Sequence, residues 1–265
     1  MKIGFVLSTK DRTNYTRRCL DSLNRESGFG IVWVDGSETT AGRRLLDADD
    51  WGRVHFIAKF RGVGGGSAGA LTFGLKYLWR SGYDLIGNIE NDMEFSPGWF
   101  DDLMALFDAG KAVGLNVGAV TSMTLDSRVL MYNPDPPFAL LWNLGASTFL
   151  ATRPAVEAIL NNFREITARE VYEFFSVRFG VDLRDRWELF MGANDRPLWM
   201  DWRFALSLYR NGMACLGSVP SMAVNMDIDV RRDLRTFYAG ERAVGGIVLK
   251  YARQQCPDKR NWKNG

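Results

Sequence analysis

Three acidic segments hold the residues of this chain that could do chemistry. Glu90-Asn91-Asp92 places two carboxylates and an amide directly after the apolar run Asp84 to Ile89, with Glu94 close behind. Carboxylate and amide oxygens are hard donors suited to Mg²⁺ or Mn²⁺. Such an ion commonly ties a protein carboxylate to a diphosphate and stabilises the charge that develops as it departs. A solvated acidic turn is the plain alternative. Asp35, in Val32-Trp33-Val34-Asp35-Gly36-Ser37, closes another apolar run. There it can accept from a ribose hydroxyl or a base N–H, or simply start an Asp-Gly turn. Asp201 stands between Trp199 and Trp202 at the start of a helical stretch. A carboxylate in aromatic surroundings can have a raised pKa and act as a general base, while the helix dipole alone would also favour it there.

Composition narrows the choice. The 265 residues include one His, His55, within an apolar run and read as structural, so carboxylates must carry most of any catalysis. Cys19, Cys215 and Cys256 are far apart, which gives neither a zinc knuckle nor a disulfide framework. The charge of +2, from 33 basic and 31 acidic residues, argues against a strongly basic nucleic-acid coat. The most apolar later stretch, Phe138 to Ala151, is broken by Asn143, Gly145 and Ser147. It falls short of the ~20 residues that span a bilayer. A soluble, cytoplasmic protein is the expectation.

Alternating short strands and helices must position the acids. Lys2 to Leu7, Gly30 to Val34, Val54 to Phe60 and Asp84 to Ile89 read as strands. Thr13 would cap a helix toward Asn24 with Tyr15, Cys19, Leu20 and Leu23 on one face, and Leu71, Leu75 and Leu78 mark another helix. Ser96-Pro97 reads as cap and first turn of a helix with the stripe Phe100, Leu103, Met104 and Phe107. Val117 to Thr121, Ser147 to Ala151 and Cys215 to Val219 suggest further strands. Helices are expected from Pro154 through Phe163, over Ala168 to Arg178, and over Met200 to Arg210, stopping at Asn211-Gly212. The pattern predicts an α/β fold: one mainly parallel sheet with helices on both faces. Ligands of such sheets sit at the carboxyl ends of the strands, where Ser8, Thr9, Asp35 and Asp92 fall. No repeat or linker divides the chain, so a single domain is expected, with a nucleotide-binding half over 1–120 and an acceptor half with a basic C-terminal segment over 121–265.

In this order the segments resemble family 2 glycosyltransferases of the GT-A fold. Phe5-Val6-Leu7-Ser8-Thr9-Lys10-Asp11-Arg12 resembles the opening strand and loop, and Val34-Asp35-Gly36-Ser37 the nucleoside-contacting motif. Glu90-Asn91-Asp92 stands where that family has its DxD motif, followed by Phe95-Ser96-Pro97-Gly98-Trp99. Asn143-Leu144-Gly145-Ala146-Ser147 is similar to the segment facing sugar and acceptor, and Asp201-Trp202-Arg203-Phe204-Ala205-Leu206 to the helix carrying the base of inverting members. The resemblance implies a nucleoside-diphosphate sugar donor, with a UDP-sugar favoured, and Mn²⁺ or Mg²⁺. Thr9, Arg12, Asp35, Arg61, Gly64, Glu90 and Asn91 would bind the donor. Asp92 would bind the metal and Asp201 would be the catalytic base. Gly145 with Trp142, Trp199 and Trp202 would face the acceptor. Two departures stand out: Glu90 replaces the first Asp of DxD, and no His follows Val219-Pro220, leaving Asp227, or else Asn225, as the oxygen ligand.

Other readings stay open. Gly64-Gly65-Gly66-Ser67-Ala68-Gly69 satisfies G-x-G-x-x-G, which would suit an NAD-binding protein, but it follows the third strand instead of the first. A nucleotidyltransferase would need a glycine-rich first loop, which Ser8-Thr9-Lys10-Asp11-Arg12 lacks. A non-catalytic sugar-nucleotide-binding module is a third class. The acceptor is open too, with a carbohydrate or small molecule as the default. Tryptophan faces stack on sugars or bases, although each ring could equally be core. Arginines beside aromatics, in Arg196 to Arg203 and Arg231 to Tyr238, prompt a second acceptor, hydroxymethylated pyrimidine in DNA.

Overall fold

A computed structural model describes residues 1–9, 12–36, 54–59, 66–124, 128–145, 147–162, 166–180 and 200–226, with side chains left aside at 54–59, 66–68 and 168. The strands are β1 (Ile3–Thr9), β2 (Gly30–Asp35), β3 (Val54–Lys59), β4 (Leu85–Glu90), β5 (Met93–Phe95), β6 (Val117–Thr121), β7 (Val129–Pro134), β8 (Pro137–Leu141), β9 (Thr148–Thr152), β10 (Ala214–Gly217) and β11 (Ala223–Asn225). The helices are α1 (Thr13–Leu23), α2 (Gly66–Arg80), α3 (Trp99–Ala112), α4 (Arg153–Asn162), α5 (Ala168–Phe179) and α6 (Met200–Arg210).

Among the described residues nine strands form one sheet in the order β3-β2-β1-β4-β9-β6-β10-β8-β7, and β5 and β11 form a separate two-stranded ladder. The four strands at the β3 edge are mutually parallel. β9 runs antiparallel to both β4 and β6, so its start at Thr148 meets the carboxyl end of β4. The sheet is thus mainly parallel, as the alternation predicts. A parallel strand buried on both faces is apolar in both alternating sets. In β1, Val6 packs with Leu71, Leu75 and Leu78 of α2 on one face, while Phe5 and Leu7 pack with Leu20 and Leu23 of α1 on the other. α4, α5 and α6 share the face of α2, and α3 joins α1.

Local differences from the sequence expectations have physical causes. Thr13 is the first helical residue of α1, and the cap position belongs to Arg12 in the left-handed region at φ 46° and ψ 46°. Thr16 takes the buried place expected of Tyr15, whose ring lies half-buried beneath the Arg12 guanidinium at 5.9 Å. α3 begins at Trp99 behind a left-handed Gly98, whose N–H donates to Glu26 Oε1 at 2.6 Å, so Ser96-Pro97 is a turn before the helix. Its buried stripe includes Trp99 and Leu106, with Met104 and Phe107 only partly covered. The run Phe138 to Ala151 divides into β8, a loop and β9. β7 and β8 turn through Pro134 to Pro137, where Asn133 Nδ2 donates to the Pro136 carbonyl at 2.7 Å. His55 falls on β3 with its side chain outside the description, and Phe163 and the segment around Trp187 lie outside the described residues. Among the described residues no helix is long and apolar enough to cross a membrane.

Candidate active site

The parallel register brings the acids to one edge. Thr9 pairs with Asp35 across β1 and β2, and Ser8 with Glu90 across β1 and β4. Thr9 and Asp35 are buried, and Thr9 Oγ1 donates to Asp35 Oδ1 at 2.9 Å while accepting from Trp33 Nε1 at 2.8 Å. The buried carboxylate is therefore partnered, as burial requires.

The turn after β4 is tied down on both sides. Asn91 Nδ2 donates to Thr16 Oγ1 at 2.9 Å, which anchors the amide to α1. Asp92 Oδ2 faces Arg12 Nη1 at 3.4 Å, with the Asp92 side chain 13% exposed and that of Arg12 47% exposed. The Asp92 carbonyl accepts from the Met226 N–H at 2.8 Å, and Asn225 pairs with Met93 in the β5–β11 ladder. Asp227, the second metal ligand expected from the sequence, lies outside the described residues.

Asp201 enters from the first turn of α6. Its carboxylate faces Arg128 Nη2 at 3.7 Å, with both side chains largely covered. Glu90 stands within the field of Asp92, Asp201 and Arg128, and its backbone N–H donates to the Ser147 carbonyl at 2.8 Å. Burial, with the negative charges of Asp92 and Asp201 adding to it, raises the Glu90 carboxyl to about 7, while the Ser147 side chain and Arg128 oppose the rise. The sheet and α6 thus bring Glu90 and Asp201, more than a hundred residues apart in sequence, within each other's electrostatic field.

The remaining sequence candidates divide. Trp142 is 2% exposed and Trp202 9% exposed, and their rings pack on each other at 5.4 Å, with Phe175 against Trp142 at 5.9 Å. These two rings hold the N-terminal part of α6 against the loop after β8, in the core role each tryptophan was also read to have. Gly145 is in the left-handed region at φ 74°, and its N–H donates to Asn143 Oδ1 at 2.9 Å. Arg61, Gly64 and Trp199 lie outside the described residues, as do Arg196 and the arginine-aromatic stretch 231–238. Sequence reasoning passed over Arg128 and the Ser147 hydroxyl. Arg128 belongs to no motif, since what brings it to Asp201 is the pairing of β7 with β8.

Among the described residues no group of three or more His, Cys, Asp and Glu forms a ready metal cage. The donor chemistry suits a looser arrangement. Mg²⁺ is commonly held by one or two carboxylates, with substrate phosphates and water completing its shell. Asp92 offers one such carboxylate, with the Arg12 guanidinium at 3.4 Å beside it.

The family model described as "Glycosyl transferase family 2" matches residues 5–151, more than half of the chain. No curated protein matches the chain. Among solved structures, S. aureus TarS is 13% identical, with a TM-score of 0.45 over 60% of this chain and 30% of that one. Mouse xyloside xylosyltransferase 1, in its apo form, is 13% identical with a TM-score of 0.36, over 61% and 72% of the two chains. A197 from STIV is 12% identical with a TM-score of 0.34, over 59% and 68%. The chain therefore spans less than a third of the length of TarS.

Proposed function

The chain belongs to glycosyl transferase family 2, and from that premise we propose that it moves a sugar from a nucleoside-diphosphate sugar to an acceptor hydroxyl with inversion, using Asp201 as general base. The observation that carries this reading is the ion pair of Asp201, on α6, with Arg128, in the electrostatic field of Glu90 at the end of β4.

The roles follow from chemistry and position. Asp35, buried at the end of β2 and oriented by Thr9, would accept hydrogen bonds from the nucleoside. Arg12 is close to Asp92 and half-exposed, so its guanidinium is available to the diphosphate. Asp92, with Asp227 as a second oxygen ligand, would hold a Mg²⁺ or Mn²⁺ ion, which when bound would neutralise charge on the departing diphosphate. Asp201 would accept the proton of the acceptor hydroxyl as its oxygen forms the bond to the anomeric carbon. The bond from that carbon to the diphosphate oxygen breaks, and its electron pair leaves with the nucleoside diphosphate. Attack from the side opposite the leaving group inverts the anomeric centre. General-base assistance of this kind contributes about 10²- to 10⁴-fold.

The test is nucleotide release from UDP-glucose, UDP-galactose, UDP-N-acetylglucosamine and GDP-mannose, each with Mg²⁺ or Mn²⁺ and a panel of carbohydrate acceptors. Turnover of at least one donor, lost in Asp201→Asn with nucleotide binding retained, is the expected result. A retained rate in Asp201→Asn would remove the base assignment. Absence of turnover and of nucleotide binding across the panel would remove the reading as a whole.

A further inference from the structure

The loop containing Gly145 holds a cradle for a side chain from a different part of the chain. A Cβ built on Gly145 would lie 2.0 Å from Arg128 Nη1 and 3.2 Å from Arg128 Cζ. The guanidinium therefore occupies the space that any other residue at position 145 would fill. The seat is fixed from several directions. The Arg128 carbonyl accepts from the Trp142 N–H at 3.0 Å, just before Val129 pairs with Leu141 in the β7–β8 ladder. Gly145 is held by its own bond to Asn143 and by its left-handed backbone. From this seat Arg128 Nη2 reaches Asp201 Oδ2 at 3.7 Å. Glu90 also stands in the field of Arg128, so one cation acts on carboxylates from both β4 and α6.

We infer that Arg128 is the positioning residue for Asp201, and that Gly145 is fixed by the room this guanidinium needs and not by contact with an acceptor. This rests on Asp201 being the base. A carboxylate that must take a proton in one geometry gains from a neighbour that fixes its rotamer, since small misplacements of a reacting group are costly. Arg128 does this as an ion pair at 3.7 Å whose guanidinium stays charged throughout the working pH range. A positive charge beside a carboxylate also favours its ionised form.

The experiment uses the full chain and the panel donor with the fastest turnover, after a circular-dichroism check that each variant is folded. Asp201→Asn comes first, and if it retains transfer the base assignment falls whatever Arg128 does. With Asp201→Asn inactive, Arg128→Ala should lower kcat about 100-fold while leaving the donor KM within about threefold. The acid limb of its pH profile should move upward by about one unit, and Arg128→Lys should restore most of that limb. Gly145→Ala displaces the guanidinium without removing it, so it should lower kcat in the wild-type background and add no further loss to Arg128→Ala. An unchanged kcat in Arg128→Ala overturns the proposal, as does a loss confined to donor binding with an unmoved acid limb, or full additivity with Gly145→Ala. If Arg128→Ala does not fold, Gly145→Ala and Arg128→Lys decide, because an unmoved acid limb in Gly145→Ala is equally fatal. A denaturant double-mutant cycle on Arg128 and Asp201 needs no turnover, and a coupling below about twofold in the unfolding constant would also overturn the pairing.

Discussion

Thr9 and Asp35 share one buried hydrogen bond at the carboxyl edge of the sheet, with Thr9 Oγ1 donating to Asp35 Oδ1 at 2.9 Å and Trp33 Nε1 donating to the same hydroxyl at 2.8 Å. One hydroxyl thus orients the Asp35 carboxylate and satisfies a buried indole. Thr9→Val keeps the shape and deletes both bonds. A buried polar group left unsatisfied costs about 1–3 kcal/mol, so the urea midpoint should fall by that equivalent with the slope unchanged. UDP binding measured by calorimetry should weaken together with stability. Thr9→Ser, which keeps the hydroxyl, should stay close to wild type in both measurements.

Arg12 holds a left-handed backbone conformation, at φ 46°, immediately before α1. For an L-residue that conformation costs about 1–2 kcal/mol. Glycine relieves it, with an offset of about 0.4–1 kcal/mol from the greater freedom of the unfolded chain. Arg12→Gly should therefore unfold at the wild-type temperature or slightly above it, while affinity for UDP falls. Stability and ligand affinity moving in opposite directions would identify Arg12 as a residue strained for function. A parallel loss of both would refute this.

The carboxyl-edge acids were legible in the sequence because a parallel strand announces itself as an unbroken apolar run, and the polar residue that ends it falls at the edge. Thr9, Asp35 and the Glu90 to Asp92 turn were found in that way. Asp201 stands out in the sequence by its place between Trp199 and Trp202 at the start of a helical stretch. Arg128 was not legible, because its place depends on the antiparallel return of β8 beside β10 and on a glycine that leaves room for it. β5 and β11 were missed because a strand of three residues has no period to read. The tryptophans were ambiguous for a different reason, since a ring that stacks on a sugar and a ring that packs on Phe175 have the same spacing in sequence.

Glu170 links the cap of α5 to the helix that carries Asp201. Its carboxylate accepts from the Thr167 N–H at 2.7 Å, the Thr167 hydroxyl at 2.8 Å and Arg210 Nη2 at 2.8 Å, which lowers it from 4.5 to about 2. A folded-state pKa below the unfolded one stabilises the protein above pH 4.5, and this contribution is lost as pH falls from 4.5 toward 2. The side chain is 37% exposed, so solvent screening keeps the effect modest, at about 0.5–2 kcal/mol with the cap included. Glu170→Gln should lower the urea midpoint at pH 7 and flatten the pH dependence of stability between pH 5 and 2.5. A variant that keeps the wild-type slope over that interval would show that the cap carries no proton linkage.

Gly87 lies in β4 three residues before Glu90, and a Cβ there would stand 2.3 Å from the Phe149 carbonyl oxygen and 2.5 Å from Phe5 Cδ1. The first neighbour is backbone of β9 and the second a fully buried ring in contact with Trp99, so neither can yield cheaply. Overpacking of this kind costs about 1–3 kcal/mol or more. Gly82 provides the control, since its φ of 74° strains any side chain but nothing lies within 4 Å of its Cβ position. Gly82→Ala should then cost only the backbone term of about 1–2 kcal/mol. Gly87→Ala should cost more and should also disturb the Glu90–Ser147 backbone bond at the adjoining ends of β4 and β9. Denaturant unfolding of the two variants, with turnover measured per folded molecule, checks both parts. Equal stabilities, or full activity in folded Gly87→Ala, would mean that the β4–β9 contact does not set the position of Glu90.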